Sequence, residues 1–183
     1  TLLSVSLLVP WLVGVLLMTV DGRRRLVAWT AVTALVGTLV LLVVLLVDVL
    51  PDSERVVLTG DWPLGVGIVL RADPLGVVFA VVSVLVLAVA MTAEALTGVR
   101  ERTFPALVVL LAAGLTGVFL TGDVFNFYVF FELAMTASYA LATYGQKGRQ
   151  LLAALIFAAV NLLGSFIFLL SVAGTYRVTG TLA

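Results

Sequence analysis

The 183-residue chain is 63% hydrophobic and 11% charged, with a mean hydropathy of +1.28, which identifies an integral membrane protein. It has no Cys and no His, excluding disulfide scaffolds, thiol chemistry, His-ligated metals and imidazole relays, so Asp, Glu, Lys and Tyr are the remaining proton carriers. Ten Lys and Arg balance ten Asp and Glu with no block of like charge, which excludes a nucleic-acid tail and leaves lipid, ions and other membrane helices as partners.

Apolar runs long enough to cross a bilayer occur at about 2–20, 26–47, 74–96, 104–120, 124–142 and 151–173. The first is not a signal peptide, because its basic cluster, Arg23, Arg24 and Arg25, follows the apolar stretch. Between the second and third spans lies the longest extramembrane piece, 48–73. Its β-branched runs 55–59 and 66–70 flank Gly60-Asp61-Trp62-Pro63-Leu64-Gly65, predicting a small hairpin on the external face that serves as a lid or packing surface. Residues 104–142 as one helix would extend roughly 58 Å, about twice the hydrocarbon thickness. The chain must therefore turn at Thr121-Gly122-Asp123, with Asp123 as a cap of the next helix or an external access point. No loop on the basic side exceeds about eight residues, leaving no room for a soluble catalytic domain, and no phosphate-binding Gly-rich loop is present.

Seven of the ten basic residues, Arg23, Arg24, Arg25, Arg100, Arg102, Lys147 and Arg149, follow spans one, three and five. Their side is expected to be cytoplasmic, placing both ends of the chain outside. The other side carries Arg55, Arg71 and Arg177 among Asp48, Asp52, Glu54, Asp61, Asp73 and Asp123.

One residue conflicts with its surroundings. Glu132 stands in "FNFYVFFELAMTASYAL", nine residues beyond Asp123, or roughly 13.5 Å along a helix, near the middle of an ~30 Å core. Tyr128, Thr136 and Tyr139 share its face. Such a stripe should face protein or water, because lipid offers it no partner. An ionised carboxylate at mid-span costs about 2.5–3.5 kcal/mol on the insertion scale, little enough for a carboxyl there to bind and release a proton. The competing reading is a fixed interhelical hydrogen bond acting only as glue. Asn161 and Ser165, four apart on span six, can hydrogen-bond to span five, order water near Glu132, or serve as glue. Glu94 is expected to form an interfacial ion pair with Arg100 or Arg102. Ala112, Ala113, Gly114 and Gly117 are expected to let helices approach closely.

These residues carry a resemblance. "GLTGVFLTGDVFNFYVFFELAMTASYALATYG" resembles the fourth and fifth helices of the antiporter-like membrane subunits shared by Mrp-type multisubunit cation/proton antiporters and respiratory complex I. "GDWPLGVGIVLRADPLG" is similar to the external hairpin, and "NLLGSFIFLLSVAGTYRVTGTL" to the sixth helix, of the Mrp D-subunit branch. The resemblance implies an all-α fold of about fourteen helices with two inverted repeats. Of this the chain would hold an N-terminal three-helix segment, 1–103, and the first part of repeat one, 104–183. It also implies that Glu132 is the essential fifth-helix acid, pairing with a Lys on the seventh helix. The sole Lys here is loop residue Lys147, and the chain starts inside an apolar run and stops at "RVTGTLA", so it reads as part of a longer protein. The implied function is that of a multi-pass subunit in the inner (plasma) membrane. It would exchange Na+, K+ or Li+ for protons without a cofactor, alongside other membrane subunits, as a transporter and not an enzyme. The alternatives are a proton-pumping subunit of a complex I or hydrogenase-type redox complex and a structural membrane anchor.

Overall fold

The computed structural model describes residues 2–50, 54–59, 68–144 and 148–182. Six helices follow one another: α1 (Leu2–Met18), α2 (Arg25–Val49), α3 (Pro74–Thr97), α4 (Phe104–Phe119), α5 (Val124–Ala142) and α6 (Gly148–Thr179). Strands β1 (Arg55–Thr59) and β2 (Ile68–Ala72) lie between α2 and α3. This is the helical membrane architecture, with its small hairpin, that the apolar runs predict.

Among the described residues four helices are long and apolar enough to span a bilayer, while α1 and α4 have 17 and 16 residues. The shortness of α4 has a structural setting. It packs against α1, α2, α3 and α5 and is buried nearly all round, so its neighbours are protein instead of lipid. α2 buries Ala28, Ala31, Leu35, Thr38, Leu42, Leu45 and Val49, a strict alternation of three- and four-residue steps. α3 answers with Val77, Ala80, Val84, Ala88, Met91 and Ala95. That period brings one seam of each helix together along its whole length. The polar side chains inside this core bond their own helices: Ser6 Oγ donates to Leu3 O at 2.8 Å and Thr116 Oγ1 to Ala112 O at 2.8 Å. Both buried hydroxyls are thus matched without a partner from another helix.

The loops are stitched together at both ends of the bundle. At the basic end Gly22 N donates to Arg102 O at 2.9 Å and Arg23 Nε to Arg100 O at 3.1 Å, joining the α1–α2 and α3–α4 connections. At the opposite end Arg71 N donates to Leu120 O and Gly122 N to Val69 O, both at 2.9 Å, fastening β2 to the turn between α4 and α5. Exposed ion pairs Arg55–Asp48 (2.9 Å) and Arg71–Glu54 (2.6 Å) brace the hairpin from outside.

Two boundaries differ from the sequence expectation. The described second strand, 68–72, continues two residues past the expected end at 70, in the register Arg55↔Ala72 to Thr59↔Ile68, and its backbone also pairs with the α4–α5 turn; residues 66 and 67 lie outside the described residues. The predicted hairpin tip, residues 60–65, lies outside the described residues. α6 has 32 residues and continues past the apolar run to Thr179, ending at Gly180 with φ 73°. Hydropathy marks where a helix leaves lipid, whereas the helix itself stops where a residue able to adopt a left-handed conformation appears.

Candidate functional site

α5 starts at Asp123, whose extended backbone lets Oδ1 accept from Asn126 N at 2.9 Å, satisfying a free amide of the first turn. Asp123 is buried and acts here as a cap. On one side α5 meets the small residues of α4. A side-chain carbon at Gly117 would fall 2.3 Å from the Phe130 ring, and one at Gly114 would fall 2.8 Å from Ala134 N. This close fit fixes the rotation of α5 and leaves its opposite side to α6.

On that opposite side is Glu132. Its carboxyl is half-buried, and Oε1 accepts a hydrogen bond from Oγ of Ser165, a buried residue midway along α6. Aromatic contacts bracket this pair along the seam. The Tyr128 ring stacks on Phe168 at 6.2 Å, and Tyr139 meets Phe157 edge-on at 5.3 Å. The Tyr139 hydroxyl and the Asn161 side chain face each other, but Tyr139 Oη and Asn161 Nδ2 reach no hydrogen-bond partner among the described residues. Thr136 lies at the edge of the seam. Its hydroxyl is exposed and donates to its own helix at Glu132 O, 2.8 Å distant. The polar residues singled out on α5 and α6 thus line one seam and its clefts, and among the described residues Ser165 is the one that bonds the carboxyl.

Clefts open along the seam. One of about 490 Å³ is lined by Tyr128, Phe131, Asn161, Ser165 and Phe168, and one of about 420 Å³ nearer the basic end by Thr136, Tyr139, Thr143 and Leu155. Both are large enough to hold water beside polar groups. A serine hydroxyl suits a carboxyl that changes protonation state, because it can donate to the ionised form and accept from the protonated one. Among the described residues no three acidic side chains converge into a metal-binding group.

Glu94 behaves differently from the expectation. No ion pair joins it to Arg100 or Arg102 among the described residues. Instead the Tyr144 hydroxyl donates to Glu94 Oε1 and accepts from Arg100 N at 3.3 Å. The cause is local. The chain leaving α5 brings a phenol against the last turn of α3, and Tyr144 packs on the Phe104 ring at 4.6 Å. Sequence reasoning passed over Tyr144, although an aromatic with a polar tip just past a span end is a known interfacial anchor.

The family model described as "NADH:quinone oxidoreductase/Mrp antiporter, TM" matches residues 121–183, which hold both Glu132 and Ser165. Over 99% of its length the chain is 34% identical to the Na(+)/H(+) antiporter D-subunit of Alkalihalophilus pseudofirmus and 30% identical to a putative antiporter subunit of Staphylococcus epidermidis. It spans 37% of the length of each of these relatives. Its fold superposes on a chain of the Mrp complex from Dietzia with a TM-score of 0.91 at 33% identity, covering 100% of this chain and 36% of that one. A chain of an archaeal membrane-bound sulfane sulfur reductase gives 0.77 at 28% identity, covering 99% of this chain and 37% of that one. The protein is a multi-pass membrane protein that matches the antiporter-like family model over residues 121–183 and is similar over its whole length to subunits of Mrp antiporters, of which it spans a little over a third.

Proposed function

We propose that this chain forms part of a membrane subunit of a monovalent cation/proton antiporter, and that Glu132 carries the proton. The observation that supports this most is a mid-helix carboxyl whose hydrogen-bond partner, the Ser165 hydroxyl, is neutral and can serve both protonation states. In the working cycle Glu132 takes a proton through the hydrated seam, Ser165 holds the carboxyl in place, and Tyr139 and Asn161 order water beside it. Tyr128 shapes the cleft, and Thr136 contributes polarity at its edge. The basic end faces the cytoplasm of a cell whose inner (plasma) membrane holds the protein, and neighbouring membrane subunits complete the assembly. Residues 1–103 then form the leading segment, and residues 104–183 open the first repeat. The work is transport and not enzyme catalysis.

The similarity to the sulfane sulfur reductase chain favours one second reading, proton movement driven by electron transfer in partner subunits. The two differ in what starts the flux, a gradient of Na+, K+ or Li+ or an electron donor.

The test uses the full-length subunit assembled with its partners in everted vesicles, reading a ΔpH dye after cation addition. Glu132→Gln keeps the size and hydrogen-bonding capacity but cannot exchange a proton. It is expected to abolish cation-driven proton movement at normal expression, while Glu132→Asp retains part of it. Wild-type exchange by Glu132→Gln would remove Glu132 from the mechanism.

A further inference from the structure

We propose that Tyr144 and Glu94 form a latch that holds the basic end of α5, making Tyr144 a positioning residue for Glu132. The role of Glu132 in transport rests on the reading above, whereas the latch itself does not.

The geometry runs through one phenol. Tyr144 lies two residues beyond α5, where Thr143 N and Tyr144 N bond Ala140 O and Leu141 O at 3.3 and 3.0 Å in a tightened last turn. From there its hydroxyl donates to Glu94 in the last turn of α3 and accepts from Arg100 N in the α3–α4 connection. Its ring lies on Phe104, the first residue of α4. A single side chain therefore ties α5 to α3, to the loop after it and to α4. Burial, and then the Glu94 contact, pushes the phenol above its ordinary range, so the donor keeps its proton at any physiological pH.

The latch matters because it is the tie at the basic end of α5 that reaches three other parts of the bundle at once. Within this chain α6 buries Ala154, Ser165 and Val172 and packs chiefly on α5. The opposite end of α5 is fixed by the Asp123 cap and by Val124 N donating to Leu182 O at 3.0 Å. The fit against α4 sets the rotation of α5, and the two held ends set the height of Glu132 against Ser165. Releasing the basic end frees the last turns of α5 and loosens that alignment.

The experiment uses the full-length subunit in its complex, with hydrogen exchange of residues 136–144 and the infrared carboxyl band of Glu132, assigned by its loss in Glu132→Gln. Tyr144→Phe keeps the ring on Phe104 and removes only the hydroxyl. It should speed exchange in that segment roughly threefold or more, the worth of at least one of the hydroxyl's two hydrogen bonds, and shift the Glu132 band. Glu94→Leu, which removes one of the two, should do the same to no greater degree. The double variant should do no more than Tyr144→Phe alone, since that variant already lacks the shared contact. Glu94→Gln, whose amide oxygen still accepts from the phenol, should stay near wild type in both readouts. Unchanged exchange in Tyr144→Phe, an unmoved Glu132 band, additive effects in the double variant, or a uniform rise across α1 to α4 would each overturn the latch. If exchange and band respond as expected while Glu132→Gln still transports, the carrier reading falls and the latch stands.

Discussion

α2 against α3 and α5 against α6 are both pairs of adjacent apolar helices, yet they are held by different means. α2 buries nine of its 25 residues, in a continuous stripe that α3 matches. α6 buries three of its 32, and one of those is the serine under Glu132. The first pair is fixed by shape repeated turn after turn. Within this chain the second is fixed by a few aromatic contacts and one hydroxyl, and the candidate proton carrier sits there.

Breaking the first pair should damage the molecule as a whole. Leu35 is fully buried in the α2 stripe, so Leu35→Ala should cost about 2–5 kcal/mol by leaving a cavity in a core that cannot close over it. Thermal unfolding of the purified complex should show the loss directly. An equal truncation on α6, Leu163→Ala, removes a side chain that is 69% exposed within this chain and breaks none of its core contacts, so it should cost less than Leu35→Ala. A large loss there would show that α6 is as tightly built as α2.

Ser165→Ala attacks the second pair at its polar contact. It leaves Glu132 Oε1 without its donor, a penalty of about 1–3 kcal/mol for a buried group and less for a half-buried one. Transport should fall several-fold while the unfolding transition of the bundle stays in place, and Ser165→Thr, which keeps the hydroxyl, should restore much of the rate. Loss of unfolding stability without loss of transport would make Ser165 glue. Gly117→Val tests the wall behind the seam. Its new methyls must displace the Phe130 ring and push α5 off α4, at about 1–3 kcal/mol.

The same contrast explains what could be read from residues alone. The apolar runs are bounded by polar breaks, so the spans were legible, as was the turn at Thr121-Gly122-Asp123, which length alone required, whereas the α2 and α3 stripes were not, because both helices are apolar nearly all round. Glu132 stood out because lipid cannot solvate it. What could not be read were contacts decided by how independent elements meet. The partner of Glu94 is a phenol fifty positions away, and β2 pairs with a turn that follows a whole helix pair. Thr136 shares the helical face of Glu132, yet its hydroxyl found a nearer acceptor in its own backbone, a competition that spacing does not reveal.

The smallest effect sharpens the comparison most cleanly, because one device occurs in both regions. Asp73 opens α3 in the well-packed pair and Asp123 opens α5 beside the seam, each with Oδ1 accepting from the amide three residues on, at 2.8 and 2.9 Å. Replacing either with Ala should cost about 1 kcal/mol, the usual worth of an N-cap. Asn caps as well as Asp does, so Asp73→Asn and Asp123→Asn should both unfold like wild type. They part only if Asp123 also serves protons from the outer side, as its position before the helix of Glu132 allows. Acting as a cap alone, Asp123→Asn transports normally, and Asp123→Ala loses only what the looser helix start costs. Were Asp123→Asn to keep full stability but lose cation-driven proton movement while Asp73→Asn kept it, the carboxyl itself would be required, and the site would extend from Glu132 to the first turn of α5.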